Sequence, residues 1–191
     1  PGVTVNRLCG SGMDAVGYLI AGAPHQSPPD SVGDLVFLAR RRVLAGISIF
    51  YPAPGSRDFE RCRHLGLLPG SPSLLRSSAL PLDHTTTRLQ AATLLRLGRL
   101  VNFIKAIIDR GDPLPRAQAC PVALDPQMER HRMGRILLAG FLAEQCICGV
   151  DPSGRLYRQP VDADLCRHFH SAMQGRKVHG VTALGSLVYP G

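Results

Sequence analysis

Cysteine and histidine side chains give this chain its most evident potential for chemistry, because a thiolate is a nucleophile and both residue types bind metals. The chain has 191 residues and six cysteines, which stand at Cys9, Cys62, Cys120, Cys146, Cys148 and Cys166. Their spacing does not form a regular disulfide framework, and the first residues lack the charged-then-apolar pattern of a secretory signal. We therefore expect reduced thiols in a cytoplasmic protein.

A zinc site would have to use the late cysteines and histidines, which are Cys146, Cys148, Cys166, His168 and His170. Tetrahedral sites do use Cys2His2 sets, but His168 and His170 are two residues apart on a predicted helix and point in different directions. Because the usual ligand spacing is missing, we expect no metal site on this chain. Of the histidines in predicted loops, His25 is the better placed to reach a ligand, because its loop follows the end of a strand.

The elements on either side of that loop form the central prediction. Two apolar runs, at about residues 16–22 and 43–51, have the composition of strands. Between them, apolar residues recur at helical spacing from Ser31, with Asp34 as the second half of a capping box. We predict that the two strands are parallel, since a helix joins them. Because both runs are continuously apolar, we expect both faces of these strands to be buried.

The amino-acid sequence of these elements resembles that of the late barrel strands of radical S-adenosylmethionine (SAM) enzymes. The similarity lies in YLIAGAPHQSP, in the helix that follows and in SIFYPAPGS, and it extends over roughly residues 12–110. The first loop of the family is usually close to G-x-P-G-Q-T, so His25 stands where the family has its second glycine. The resemblance implies an α/β fold made of the C-terminal βα units of a partial TIM-type barrel, followed by a mainly helical extension.

The resemblance also implies a cofactor site at the C-terminal ends of the two strands, where ligands of α/β barrels collect. A glycine suits such a site, since a backbone without a Cβ can approach a ligand closely. The residues implied are Ile20, Ala21 and Gly22, near the methionine or ribose of SAM, and Phe50, Tyr51 and Pro52, beside its adenine.

Members of this family cleave SAM reductively at a 4Fe–4S cluster to make a 5′-deoxyadenosyl radical, and some relatives carry a cobalamin-binding domain before the barrel. The cluster motif of the family, C-x-x-x-C-x-x-C, does not occur in this sequence. The resemblance therefore implies a fragment of a radical SAM enzyme that contributes to the SAM site and is inactive alone. A missing N-terminal part of the barrel would be its partner and would hold the cluster, and the substrate is unknown.

Residues 1–17 separately resemble a different family, the thiolases. The string VNRLCGSGMDAV is similar to the nucleophile segment of acetyl-CoA acyltransferases, in which the cysteine at the position of Cys9 is acylated. This gives an alternative function, in which the Cys9 thiolate attacks a thioester. The Gly-His-Pro turn that supplies the catalytic histidine of that family is absent. If Cys9 is not a catalytic nucleophile, we expect Val3–Cys9 to form a short helix and Gly10–Gly12 a turn.

The charge of the chain leaves a third alternative open. The formal net charge is +8, and 20 of the 22 basic residues are arginine, which suits phosphate recognition. A non-catalytic helical interaction or RNA-binding module would use these arginines. They are spread along the chain rather than clustered, however, so nucleic acid is the less favoured partner. No apolar run approaches the length of a membrane span, so we expect no membrane partner.

The sequence predicts three regions. Residues 1–56 form the end of the barrel, residues 57–84 a loop-rich connection with short helical turns, and residues 85–191 the mainly helical extension. Within the extension, a proline-rich linker separates helices, and the turn residues Asp151–Gly154 predict a hairpin. The predicted helices run from Thr85 to Arg110, from about Gln127 (with Asp125 as cap and Pro126 at the first helical position) to Glu144, and from Asp162 to Met173.

Overall fold

The computed structural model describes residues 4–6, 16–41, 43–71, 73–74, 85–174, 177–178 and 181–182. Within these residues the chain has a mixed α/β architecture of five helices and three small sheets. In chain order the elements are β1 (Thr4–Asn6), β2 (Val16–Ala21), α1 (Pro28–Ala39), β3 (Leu44–Ile49), α2 (Arg57–His64), α3 (Arg88–Asp109), α4 (Arg130–Glu144), β4 (Cys148–Val150), β5 (Leu156–Arg158), α5 (Ala163–Met173), β6 (Lys177–Val178) and β7 (Val181–Thr182).

The largest sheet has the strand order β1–β2–β3 and confirms the predicted parallel pair. β2 and β3 run in the same direction, with Leu19 opposite Ile47, and α1 connects them. β1 pairs antiparallel with β2, so the helix expected over Val3–Cys9 is wrong at Thr4–Asn6. An extended segment gains backbone hydrogen bonds from the edge of β2, whereas an isolated helical turn is costly to nucleate. Among the described residues this sheet has three strands and does not close into a barrel.

Helices cover the sheet on one face. Leu19 and Ala21 of β2 are 3% and 0% exposed, whereas Tyr18 and Ile20 are 44% and 56% exposed. The prediction that both faces of the strands are buried is therefore wrong. A strand whose residues are almost all apolar does not show by its pattern which face lacks a partner, and the described part of the chain supplies helices to one face.

Glycines allow these helices to approach the sheet closely. A Cβ on Gly17 of β2 would lie 2.4 Å from the Leu38 side chain of α1, and a Cβ on Gly98 of α3 would lie 2.5 Å from Ile47 of β3. Both α1 and α3 therefore pack on the buried face, and most of the core residues of the chain lie in this layer.

α1 begins earlier than predicted. Ser27 is its N-cap, where the Ser27 hydroxyl accepts from the backbone N–H of Asp30 (3.3 Å) and the Asp30 carboxylate accepts from the N–H of Ser27 (2.9 Å). The capping box predicted at Ser31 and Asp34 is therefore wrong, and Ser31 is buried within the helix. Pro28 is tolerated at the first helical position because its missing N–H would have no partner there.

After β3 the chain forms the helices α2 and α3. Residues 57–64, which lie in the connection predicted as loop with short helical turns, form the helix α2, with the Ser56 hydroxyl accepting from Phe59 N–H at 3.1 Å. The predicted long helix is confirmed as α3, although its N-cap is Thr87 rather than a residue near Thr85. Gly111, with φ +76°, follows its end as predicted. Residues 75–84 of the predicted connection lie outside the described residues.

The later elements match most of their predictions. Residues 112–121 have no regular secondary structure, β4 and β5 form the predicted hairpin, and α5 has Asp162 as its N-cap. α4 begins at Arg130, so the predicted start near Gln127 is wrong. Asp125 instead caps a separate turn, in which its carboxylate accepts from the N–H of Gln127 at 2.9 Å.

One side chain of α3 pairs with the backbone of β3. The Asn102 amide oxygen accepts from Ala45 N–H (2.7 Å), and its amide nitrogen donates to the Ala45 carbonyl (2.9 Å). We expect Asn102→Ala to lower the free energy of unfolding by about 1–3 kcal/mol, because it leaves both backbone groups unpaired beside the core. Asn102→Asp keeps the acceptor but sets a carboxylate oxygen against the Ala45 carbonyl, so it should not restore the stability in urea unfolding. A fully stable Asn102→Ala variant would contradict this role.

Candidate functional site

The C-terminal ends of β2 and β3 lie side by side. The pairing continues past the strands, since Phe50 N–H donates to the Ala21 carbonyl at 2.8 Å. This contact places residues 20–22 next to residues 50–52, so the structure brings together the two sets that sequence reasoning singled out. We call these six residues, together with Thr86, the strand-end site.

The three residues of the first set, residues 20–22, differ in their exposure and in the groups that a ligand could contact. Ile20 is exposed on the uncovered face, whereas the Ala21 side chain is fully buried in the core and leaves only its backbone available. Gly22 has φ +75°, a conformation that favours glycine. This segment therefore offers backbone and one apolar side chain.

The second set adds an aromatic surface. Tyr51 is 48% exposed, Phe50 is half-buried and Pro52 is buried. An exposed tyrosine ring beside an uncovered sheet face can stack on a flat heteroaromatic group.

Thr86 is a residue of this site that sequence reasoning missed. It is 3% exposed, and among the described residues its hydroxyl oxygen has no hydrogen-bond partner. A Cβ on Gly22 would lie 3.6 Å from that oxygen. Buried hydroxyls are normally satisfied, so this unpaired oxygen is an exception, and because both Thr86 and Gly22 are buried a ligand could reach it only after a local opening. No sequence signal could reveal it, because more than sixty residues separate Thr86 from β2.

Hydrogen bonds hold the loop after β2 in place. His25 has φ +67°, and its Nε2 lies 3.0 Å from a guanidinium nitrogen of Arg61 on α2. The Gln26 side chain donates to the Asp34 carboxylate at 3.2 Å, and the Thr85 hydroxyl donates to the Gln26 carbonyl at 3.0 Å. Burial raises the pKa of Asp34, against the opposing effect of the Gln26 hydrogen bond. The loop is thus tied to three other segments, and His25 points to α2.

A second chemical feature lies near β4. The Sγ atoms of Cys146 and Cys148 are 3.9 Å apart, and Cys120 lies close enough to Cys148 that, in addition to burial, its charge raises the pKa of that thiol. We call these three residues the thiol cluster. Cys120 is seated over Gly140 of α4, where a Cβ would come within 2.0 Å of its Sγ. The sequence indicated the Cys146–Cys148 pair but gave no sign that Cys120 joins it.

Burial and neighbouring charges shift the acidity of these thiols. Burial raises the pKa of Cys120 and of Cys148. Burial, followed by the charge of Cys148, raises the pKa of Cys146 to about 11. The neutral thiol is therefore the resting form of the cluster at neutral pH.

A cleft of about 220 Å³ lies between α3 and α4 and reaches Cys148. Apolar side chains line its interior, while two arginines contribute positive charge to its walls. Arg96 is held in place, since its guanidinium donates to the Gln159 side chain (2.5 Å) and to the Pro160 carbonyl (2.8 Å). Residues that line the cleft include Arg96, Arg99, Phe103, Leu137, Phe141 and Cys148.

The zinc ligands weighed from the sequence do not form a set. Cys166 is fully buried in α5, and burial lowers the pKa of His170 on the same helix. In the described part of the chain, no three or more His, Cys, Asp or Glu side chains are arranged to hold a metal ion. Cys9, the nucleophile of the thiolase alternative, lies outside the described residues.

Two further findings bear on what the chain can do. In the ranges that the structure describes, no helix has the length and apolar character needed to cross a lipid bilayer. Comparison with known proteins gives no significant match to any family model, to any curated protein or to any solved structure.

Proposed function

We propose that this chain is part of a radical SAM enzyme and supplies one section of an α/β barrel that binds S-adenosylmethionine. The observation that carries the proposal is the side-by-side placement of Ile20–Gly22 and Phe50–Pro52 at the C-terminal edge of a parallel strand pair. The resemblance of the two loop strings to that family supports the same interpretation. The bound ligand would lie at the strand-end site.

The one-sided packing of the sheet agrees with a barrel wall. In a TIM-type barrel, helices surround the outside and the other face of each strand points to the interior. Here α1 and α3 occupy one face, while Tyr18 and Ile20 lie exposed on the other. A Cβ on Gly46 would lie 2.9 Å from the Tyr18 ring, so this ring covers β3 on the exposed face. We infer that further strands, from the missing N-terminal part of the barrel, would enclose this face, and the first of them would have to replace β1, which pairs antiparallel with that edge of β2.

The strand-end site fits the chemical groups of SAM. The exposed Tyr51 ring can flank adenine, and Gly22 carries no Cβ that would obstruct a ligand, whereas the buried Thr86 hydroxyl would bond a ribose or carboxylate oxygen only after a local opening. These residues bind and orient the cofactor. When bound beside a reduced 4Fe–4S cluster, SAM supplies a 5′-deoxyadenosyl radical in this family. The cluster would be held outside this chain, whose sequence lacks the three-cysteine motif.

Binding of S-adenosylhomocysteine, a stable analogue of SAM, tests the proposal. We expect its addition to the isotope-labelled chain to shift the amide resonances of Ile20, Gly22 and Tyr51. Gly22→Val should weaken binding by about tenfold or more, because a branched side chain fills the space beside Thr86, whereas the strain at φ +75° lowers the stability of the chain rather than its affinity.

Gly111→Val is the matched control for that experiment. Gly111 has nearly the same φ, +76°, follows α3 and has no atom within 4 Å of a built Cβ. The Gly111→Val substitution should leave the affinity for S-adenosylhomocysteine unchanged. Shifts confined to other residues, or equal effects of the two substitutions, would count against the strand-end site. A coding sequence that has no three-cysteine motif upstream of this chain would end the radical SAM proposal.

A further inference from the structure

The thiol cluster has the geometry of a disulfide-forming site. The Sγ atoms of Cys146 and Cys148 lie 3.9 Å apart, and Cys120, seated beside Gly140 of α4, is near enough to affect the pKa of Cys148. Cys148 is thus the thiol shared by two possible partners. To form a bond, the 3.9 Å between the Sγ atoms of Cys146 and Cys148 must shorten to about 2.05 Å.

The cleft between α3 and α4 gives a small molecule access to Cys148. Cys148 is half-buried and forms part of the cleft wall, with Arg96 and Arg99 nearby. Cys146 lies instead beside a carboxylate, since its Sγ is 3.6 Å from Glu144 Oε2. That carboxylate is paired with the Arg158 guanidinium at 2.7 Å, so the preference of an anionic reagent for Cys148 comes from Arg96 and Arg99 of the cleft.

We propose that Cys148 exchanges with a small anionic disulfide that enters this cleft, and that Cys146 or Cys120 then completes an intramolecular disulfide. The Cys148 thiolate attacks one sulfur of the reagent, forms a mixed disulfide and releases one thiol. The neighbouring thiolate attacks Cys148 Sγ and releases the second thiol. Two protein thiols become one disulfide, and the reagent is reduced to two thiols. This site is separate from the strand-end site and does not depend on the proposed SAM function.

The surroundings of the cluster set the pH range of the exchange. Because burial raises the pKa values of these thiols, with that of Cys146 at about 11, little thiolate is present at neutral pH. Exchange requires the thiolate, so its rate should rise steadily from neutral to alkaline pH. The cluster therefore reacts slowly with a disulfide at neutral pH and faster as the pH rises.

Oxidation of the folded chain with glutathione disulfide at mildly alkaline pH tests the proposal. Proteolysis without reduction, followed by mass spectrometry, should identify a disulfide between Cys148 and either Cys146 or Cys120. Cys146→Ser should leave the bond to Cys120, and Cys120→Ser the bond to Cys146. Cys62→Ser, on α2, is the control and should not change the pattern. Absence of any intramolecular Cys148 disulfide in the folded wild-type chain would overturn the proposal.

Comparison with the neutral reagent hydroxyethyl disulfide tests the role of the cleft. Arg99→Ala should slow oxidation by glutathione disulfide by about threefold or more and leave the rate with hydroxyethyl disulfide nearly unchanged. Equal slowing with both reagents would show that the charge of the cleft does not select the reagent, and would overturn the anionic assignment. Arg99 is exposed on α3, so its truncation should not unfold the chain.

Discussion

Replacing Phe169 by alanine is expected to lower the free energy of unfolding by about 3–5 kcal/mol. Phe169 of α5 is 1% exposed, and its ring meets that of Phe141 on α4 with centroids 6.1 Å apart. It lies in the same core as the helices that cover the sheet. Truncation removes a large apolar side chain and leaves a cavity at the point where α4 and α5 meet, which the surrounding helices can fill only in part.

Urea unfolding followed by circular dichroism would measure this loss. Phe37→Ala is a suitable control, because Phe37 of α1 is 42% exposed and its ring lies under the Arg41 guanidinium at 3.3 Å. Its removal should cost about 1 kcal/mol or less, the usual value of an exposed cation–π contact. If the two variants lost equal stability, α5 would not be part of the cooperative core.

Elements with a strong periodic pattern were predictable from the sequence. α3 and α5 carry apolar residues at helical spacing, and Leu97, Val101 and Phe169 are buried as such spacing requires. The parallel pairing of β2 with β3 followed from two apolar runs joined by a helix. These predictions depend on local sequence, which is why they hold.

Capping was harder to predict, because several serines and aspartates compete. Ser27 and Asp30 form the capping box of α1, although Ser31 and Asp34 have the same spacing in the sequence. The two prolines after Ser27 indicate a turn, yet proline is also favoured at the first helical position. Only the packing of Ser31 against the core decides between the two positions.

The features that carry the proposals depend on contacts between distant residues. The two loop strings indicated the strand-end site, but not that Ala21 turns its side chain into the core or that Thr86 joins the site. Cys120 likewise reaches Cys148 only because Gly140 leaves room for its sulfur. Such contacts have no local pattern, so the sequence alone could not supply them.

Gly154→Ala is expected to lower the free energy of unfolding by about 2–4 kcal/mol, the second large effect. Gly154 lies in the turn between β4 and β5 with φ +86°, and a Cβ there would lie 2.1 Å from the Leu124 carbonyl oxygen. That oxygen belongs to the backbone and cannot rotate away. Leu124 N–H also donates to the Gly154 carbonyl at 2.8 Å, so relief of the clash would break this bond.

Gly55→Ala is the control that separates the steric clash expected at Gly154 from the strain of a non-glycine residue at positive φ. Gly55 has a similar φ of +82°, but a built Cβ has no atom within 4 Å, so this variant should lose only the conformational term of about 1–2 kcal/mol. Thermal unfolding of both variants would measure the difference. Equal losses would mean that the hairpin moves away from Leu124 at little cost. Because Cys148 begins β4 of that hairpin, such mobility would also loosen the contacts of the thiol cluster and slow its closure into a disulfide.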